Sequence, residues 1–242
     1  MVCYTQLWLS ILQFQLSLSS TICSFFEKKK QFKLFSPLNT NRNTIISKTL
    51  SWLLRHAALR ENLNVSPDGF VDINEVLQHK RLKKISCTPE DVREVVATNS
   101  KQRFTLRDRQ GTLEICANQG HSFPVDNLEL IPVMPYEFDY VIHGTYLKNW
   151  DSIRVYGLKR MKRNHIHFSS GLPSDKNIKS GIRFDAEIYI YIDINKALLS
   201  GLNFFRSVNG VVLSSGNEDG IIETKYFLKV VNASNGSHLT FP

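Results

Sequence analysis

Apolar residues recur at three- and four-residue spacing at Leu50, Leu53, Leu54, Ala57 and Ala58, so the chain from Ser47 predicts an amphipathic helix with one apolar stripe. Arg55 and His56 fall off that stripe. Ser66-Pro67-Asp68-Gly69 reads as a turn, Phe70 to Ile73 as a short strand, and Asn74 to Leu82 as a helix. Thr88-Pro89-Glu90-Asp91 has the marks of a helix start. Thr88 can cap it, Pro89 suits the first helical position, and the charge of Asp91 suits the helix dipole. Val92, Val95 and Val96 supply its core face. The period then changes. Phe104 and Leu106 alternate with Arg103, Thr105 and Arg107, Asp108 to Gly111 reads as a turn, and Leu113, Ile115 and Ala117 alternate on the return. This is a hairpin with one basic face, and helices followed by such a hairpin predict a winged-helix-like module from Ser47 to Val125.

Pro132 to Glu137 reads as a linker. Strand-like runs return at Tyr140 to His143, His165 to Ser169, Glu187 to Ile194 and Gly210 to Leu213, with a helical stretch from Lys148 to Tyr156 that stops at Gly157. The expected class is α+β, with a first lobe at residues 47–131 and a β-rich second lobe at 137–230. Residues 1–46 read as an extension that is disordered or carries targeting information, Lys30 to Thr44 as a polar linker, and 231–242 as a tail. The apolar opening, Met1 to Phe26, is interrupted by Gln6, Gln13 and Gln15 and ends against Glu27-Lys28-Lys29-Lys30, which fits neither a spanning helix nor a secretory signal.

Composition narrows this picture only in part. Thirty Lys and Arg against 22 Asp and Glu leave a formal charge of +8, which favours an anionic partner such as nucleic acid. The four cysteines, Cys3, Cys23, Cys87 and Cys116, form no C-x-x-C pair, so neither a zinc site nor a disulfide framework is expected, and no metal. G-x-G-x-x-G, the P-loop pattern, H-E-x-x-H and G-x-S-x-G are all absent. A dinucleotide site in this chain must therefore be of another kind.

Several polar residues then need an explanation. Arg55 and His56 alone read equally as a solvated helix face, Arg103 as an exposed strand residue, and Arg163 as part of a basic turn from Lys159. Taken together they meet one chemical need. A phosphate dianion is held well by several guanidinium forks, each permanently charged, with an imidazole adding hydrogen bonding or proton transfer. His143-Gly144-Thr145 at a strand end offers an imidazole, a close backbone approach and a hydroxyl, which suit a ribose or pyrophosphate; a core histidine remains the other reading.

Six motifs occur in order: Leu54-Arg55-His56; Lys101-Gln102-Arg103-Phe104; Ala117-Asn118-Gln119-Gly120-His121-Ser122; His143-Gly144-Thr145; His165-Ile166-His167-Phe168-Ser169; and Phe205-Arg206-Ser207-Val208-Asn209-Gly210-Val211. In this order the chain resembles the tRNA 2′-phosphotransferase family from Ser47 to about Lys229. The resemblance implies a winged-helix lobe that receives RNA and an ADP-ribosyltransferase-like lobe that binds NAD⁺. It carries the family's catalytic set onto Arg55, His56, Arg103 and Arg163, and a cofactor cleft onto His143, Gly144, Thr145, His167 and Ser169. Gly181-Ile182-Arg183 matches a further G-x-R element, with Arg183 facing the pyrophosphate or standing in a surface salt bridge. Gln119 to Ser122 either frames the cleft between lobes or simply ends the hairpin.

The resemblance further implies the reaction. The 2′-phosphate left at the splice junction of ligated tRNA attacks the nicotinamide ribose of NAD⁺, giving an ADP-ribosylated RNA intermediate. The ribose 2″-hydroxyl then attacks the phosphate, freeing 2′-hydroxyl RNA, nicotinamide and ADP-ribose 1″,2″-cyclic phosphate. NAD⁺ is consumed as a co-substrate. The expected protein is a monomer acting in cytoplasm or nucleus with no membrane partner, organelle targeting by residues 1–46 being left open. Two alternatives are carried: ADP-ribosyl transfer to terminal phosphates of RNA or DNA, and a noncatalytic winged-helix nucleic-acid-binding protein.

Overall fold

A computed structural model describes residues 37–175, 178 and 181–242, so most of the sequence extension lies outside the described residues. Ile46–Pro242 forms one compact unit. Helix α1 spans Pro37–Trp52. Residues 37–44, expected as linker, are therefore helical. The stripe downstream supplies the packing that stabilises the helix, and Pro37 at its first position lacks only an N–H that would go unbonded there.

The stripe itself is buried as expected, from Leu50 through Ala58. Its last turn is not a regular α-helix. Leu53–Ala57 is a π turn, which buries Leu53, Leu54 and Ala57 and leaves Arg55 and His56 on the other side. Strand β1 is Val71–Asp72. The expected helix from Asn74 is two short ones, α2 at Ile73–Leu77 and α3 at Lys80–Lys83. The break falls where the His79 imidazole accepts the Arg81 N–H and starts the second helix. Helix α4, Pro89–Thr98, begins as expected with a capping box between Thr88 and Asp91.

Strands β2, Phe104–Arg109, and β3, Thr112–Ala117, form the expected hairpin, and β1 pairs with β3. Gln110 and Gly111 both take positive φ at its turn, the conformation that matches the twist of paired strands. Arg103 directly precedes β2 and continues its pairing, its carbonyl accepting from Asn118 N–H at 2.9 Å, while Gln102 before it takes a positive φ. Of the two basic residues on the hairpin, Arg107 and Arg109, Arg107 is ion-paired to Asp68 and Glu114 and stacked 3.7 Å from the centre of the Phe70 ring. These helices and strands enclose one buried cluster that includes Ile46, Leu50, Leu53, Val76, Leu82, Val92, Phe104 and Ile115.

The remaining strands build antiparallel sheets. Strands β4 (Leu130–Pro132), β7 (Ile166–Phe168), β9 (Phe205–Ser207) and β10 (Val212–Ser214) assemble in the order β4-β9-β10-β7. Strands β5 (Val141–Thr145), β8 (Ile188–Ile192) and β12 (Phe227–Asn232) form a second sheet with β8 in the centre. Strands β6 (Leu158–Lys159) and β11 (Ile221–Ile222) pair alone. Helix α5, Trp150–Tyr156, stops at Gly157 with φ 78°, as expected, and α6 spans Ile194–Leu199. Phe168, Ile188, Ile190, Ile192, Phe204 and Val212 fill a second buried cluster between these sheets. The structure is α+β. No helix of the described residues is long and apolar enough to cross a membrane.

Candidate functional site

Ala117 belongs to the first buried cluster, and the residues that follow it, Gln119 to Ser122, run between Arg55 and His56 on one side and His167 on the other. Ser122 N–H and its hydroxyl both donate to Arg55 O, at 2.9 and 3.3 Å. The Ser122 oxygen is thereby left to accept from His56 Nδ1, 3.1 Å away. His56 with Nδ1–H carries its lone pair on Nε2. Gly120, at φ 91°, passes between two functional groups: a Cβ there would stand 3.4 Å from Arg55 Cδ and 3.5 Å from His167 Nε2. These are ordinary contact distances, so it is the positive φ that calls for glycine at this crossing.

Arg55 is the centre of the cationic group. Its Nε and Nη2 are buried without a hydrogen-bond partner. Burial first, then the charges of Arg103 and Arg163, pull its pKa down to about 10, so it remains charged at neutral pH. Burial, Arg163 and Arg55 likewise hold His56 below its ordinary value and favour the neutral imidazole. Arg103 donates to Asn99 Oδ1 at 3.3 Å and is lowered by burial. Arg163 is lowered by burial and by Arg183. The four residues singled out by spacing and resemblance thus share one field, although Arg55 and Arg103 come from the first half and Arg163 from the second.

The residues assigned to a cofactor cleft gather on the adjoining strands. His143 Nδ1–H donates to His167 O at 2.9 Å, and His167 Nε2 lies 2.6 Å from Gln119 Oε1. Both imidazoles are lowered chiefly by burial; His167 also feels Arg163 and Arg55. Ser169 is fully buried and exchanges both backbone hydrogen bonds with Ile142 at 2.8 Å. Thr145 is buried, its hydroxyl accepting from Asn149 Nδ2 at 3.0 Å. Gly144 faces the loop from Gly181 to Ala186; a Cβ there would overlap Ile182 Cγ2 and stand 3.1 Å from Ala186 Cβ. Gly181 lies against Ser169, and Arg183 Nη1 donates to the Tyr146 hydroxyl at 3.1 Å.

Four further residues bear on this site, of which Gln119 belongs to the segment expected either to frame the cleft or to end the hairpin and the other three were not expected there. Gln119 fixes His167, Lys101 donates to Ile182 O at 3.3 Å, and Asn209 donates to Lys101 O at 3.0 Å. All three stood inside the six motifs, yet spacing alone could not say which chain segment each would meet. Tyr146 lies in none of the motifs. His121 is 2% exposed, with neither ring nitrogen bonded, and burial, Arg55, His56 and His165 pull it down to about 4. Among the described residues no group of three or more His, Cys, Asp or Glu is placed to hold a metal ion.

Chemically, the arrangement offers unsatisfied guanidinium donors, a neutral imidazole with a free acceptor nitrogen and a glycine-lined strand end. Buried donors without partners are costly, and an anion that accepted from them would relieve that cost. The model of the RNA 2′-phosphotransferase, Tpt1/KptA family matches residues 41–216. The chain is similar to tRNA 2′-phosphotransferase 1 of Homo sapiens, 45% identical over 195 residues that cover 79% of this chain and 76% of that protein. It is 43% identical to the Danio rerio protein of the same name over 192 residues, 77% of this chain and 84% of that one. The Saccharomyces cerevisiae tRNA 2′-phosphotransferase is 40% identical over 186 residues, 72% of this chain and 79% of the yeast protein.

Proposed function

Because the chain belongs to the RNA 2′-phosphotransferase, Tpt1/KptA family, we propose that it removes the internal 2′-phosphate at the splice junction of ligated tRNA by transferring it to NAD⁺. In this reading the products are 2′-hydroxyl RNA, nicotinamide and ADP-ribose 1″,2″-cyclic phosphate. Residues 47–131 act as a winged-helix lobe for RNA and residues 137–230 as an ADP-ribosyltransferase-like lobe for NAD⁺, within a monomer of cytoplasm or nucleus.

The observation that carries the proposal is Arg55, whose buried Nε and Nη2 have no protein partner beside two further guanidinium groups. Three like charges gathered without a carboxylate among them destabilise the empty site and fit a dianionic phosphate. Arg55, Arg103 and Arg163 hold the 2′-phosphate and align it, which is where most of the rate gain in a displacement of this kind arises. His56, kept neutral and turned by Ser122, accepts a proton at Nε2 from an attacking hydroxyl. The guanidinium groups then stabilise the charge that builds on the phosphoryl oxygens.

The donor set on the adjoining strands also fits NAD⁺. Gly144 lets the loop from Gly181 to Ala186 pack directly on the strand end, and in this reading His143, Thr145, His167, Ser169, Gly181 and Arg183 hold the dinucleotide about that junction. Bound NAD⁺ supplies an electrophilic ribose carbon with a cationic leaving group. Single substitutions Arg55→Ala, His56→Ala, Arg103→Ala and Arg163→Ala test the assignment with an RNA bearing one 2′-phosphate. Each is expected to lower turnover on the order of a hundredfold or more with an unchanged far-ultraviolet spectrum. Unaltered turnover in all four would remove the site from this account.

A further inference from the structure

The loop from Gly181 to Ala186 is gripped at three points. Ile182 and Ala186 pack with Ile142 and Tyr191 in a small buried cluster of their own. Lys101 donates to Ile182 O from the first half of the protein. The third grip is Tyr146, which follows His143-Gly144-Thr145 directly and so shares their strand end. Its hydroxyl accepts from Arg183 Nη1 at 3.1 Å and donates to Asp185 Oδ2 at 3.0 Å. The Arg183 guanidinium also lies 5.8 Å from the centre of the Tyr146 ring.

Such a contact changes what Arg183 can do. An exposed arginine has wide rotamer freedom that is lost on binding a ligand, and among the described residues Asp185, two residues along, makes no ion pair with Arg183 but bonds the same hydroxyl. The Tyr146 hydroxyl stands between the two charges. By giving its proton to Asp185 it becomes a better acceptor for Arg183, and the chain of bonds is mutually strengthening. Only one Nη1 bond is used, so the other guanidinium N–H groups stay available. The charge of Arg183 is felt by Arg163 and Lys101, whose pKa values it helps to lower.

We propose that Tyr146 is a positioning residue for the dinucleotide: it clamps Arg183 in a pre-ordered, uncompensated state that meets the pyrophosphate. This rests on the reading of Arg183 as a pyrophosphate contact. It goes further by naming the side chain that makes a surface arginine into a fixed one.

The test is equilibrium binding of ADP-ribose, which keeps the pyrophosphate and lacks nicotinamide, measured by calorimetry on the full chain. Tyr146→Phe keeps the ring and removes the hydroxyl. It is expected to weaken ADP-ribose about fivefold, the usual scale of one partly exposed charge-assisted bond, and to raise KM for NAD⁺ while KM for RNA, kcat and the thermal midpoint hold. Arg183→Ala is expected to weaken ADP-ribose at least as much, and the double variant no further than Arg183→Ala alone. Wild-type affinity in Tyr146→Phe would overturn the proposal, as would a tyrosine effect that persists in full without Arg183. If Arg183→Ala binds ADP-ribose as the wild type does, the pyrophosphate reading fails, and the role of Tyr146 with it.

Discussion

His121 is buried beside a cluster of positive charge with both ring nitrogens unbonded, and it has to remain neutral to stay there. Its pKa of about 4 in the folded protein against an ordinary 6.5 makes acid unfolding a direct readout. Between those values the unfolded chain binds the proton that the folded chain refuses, so stability rises with pH across the window and is lost as pH falls through it. Below about 4 both states are protonated and the loss is complete. The shift corresponds to on the order of 3 kcal/mol. Urea unfolding at pH 7 and at pH 4.5 should therefore differ strongly in the wild type and clearly less in His121→Gln. An equal difference in both proteins would show that His121 is not the source.

At this scale part of the site could be read from the chain. Arg55 and His56 leave the apolar stripe and Arg103 stands in the Lys101–Phe104 motif, so charged residues off a buried face are visible in one dimension, whereas Arg163 was carried over by resemblance alone. What Gln119 and Tyr146 do was not legible. Gln119 meets His167 across 48 residues of chain, and Tyr146 meets Asp185 across 39. Contacts of that range leave no periodicity.

Among the elements, those whose signal is local came through. The Thr88 capping box, the hairpin from Phe104 to Ala117 and the stop of α5 at Gly157 each rest on residues within a turn of one another. The π turn at Leu53–Ala57 did not, since one extra residue per turn has no composition of its own; it nevertheless sets where Arg55 and His56 point. Short β9 and β11, of three and two residues, are set by the partners they find and not by alternation. Two substitutions separate elements that hold the fold from those that hold the site. Thr88→Ala should cost about 1 kcal/mol and leave ADP-ribose binding alone. Gly144→Ala drives a methyl into Ile182, which should cost about 1–3 kcal/mol and also weaken ADP-ribose by displacing the loop that carries Arg183. Calorimetry and thermal melts of the pair check this, and wild-type binding in Gly144→Ala would mean that the loop is not part of the site.

Across the whole molecule, two buried clusters meet along a seam where the charges are gathered. Gly120 threads between Arg55 of one and His167 of the other, and Lys101 is bonded in both directions across it, to Ile182 and from Asn209. Such a seam suits the transfer proposed here between a nucleic acid and a dinucleotide. The net charge of +8 adds long-range attraction for RNA. The most direct measurement is to incubate the protein with an RNA carrying one internal 2′-phosphate, with and without NAD⁺, and to resolve the products. The account predicts 2′-hydroxyl RNA and ADP-ribose 1″,2″-cyclic phosphate only when NAD⁺ is present. Phosphate loss without NAD⁺, or RNA that is bound and returned unchanged with it, would contradict that claim.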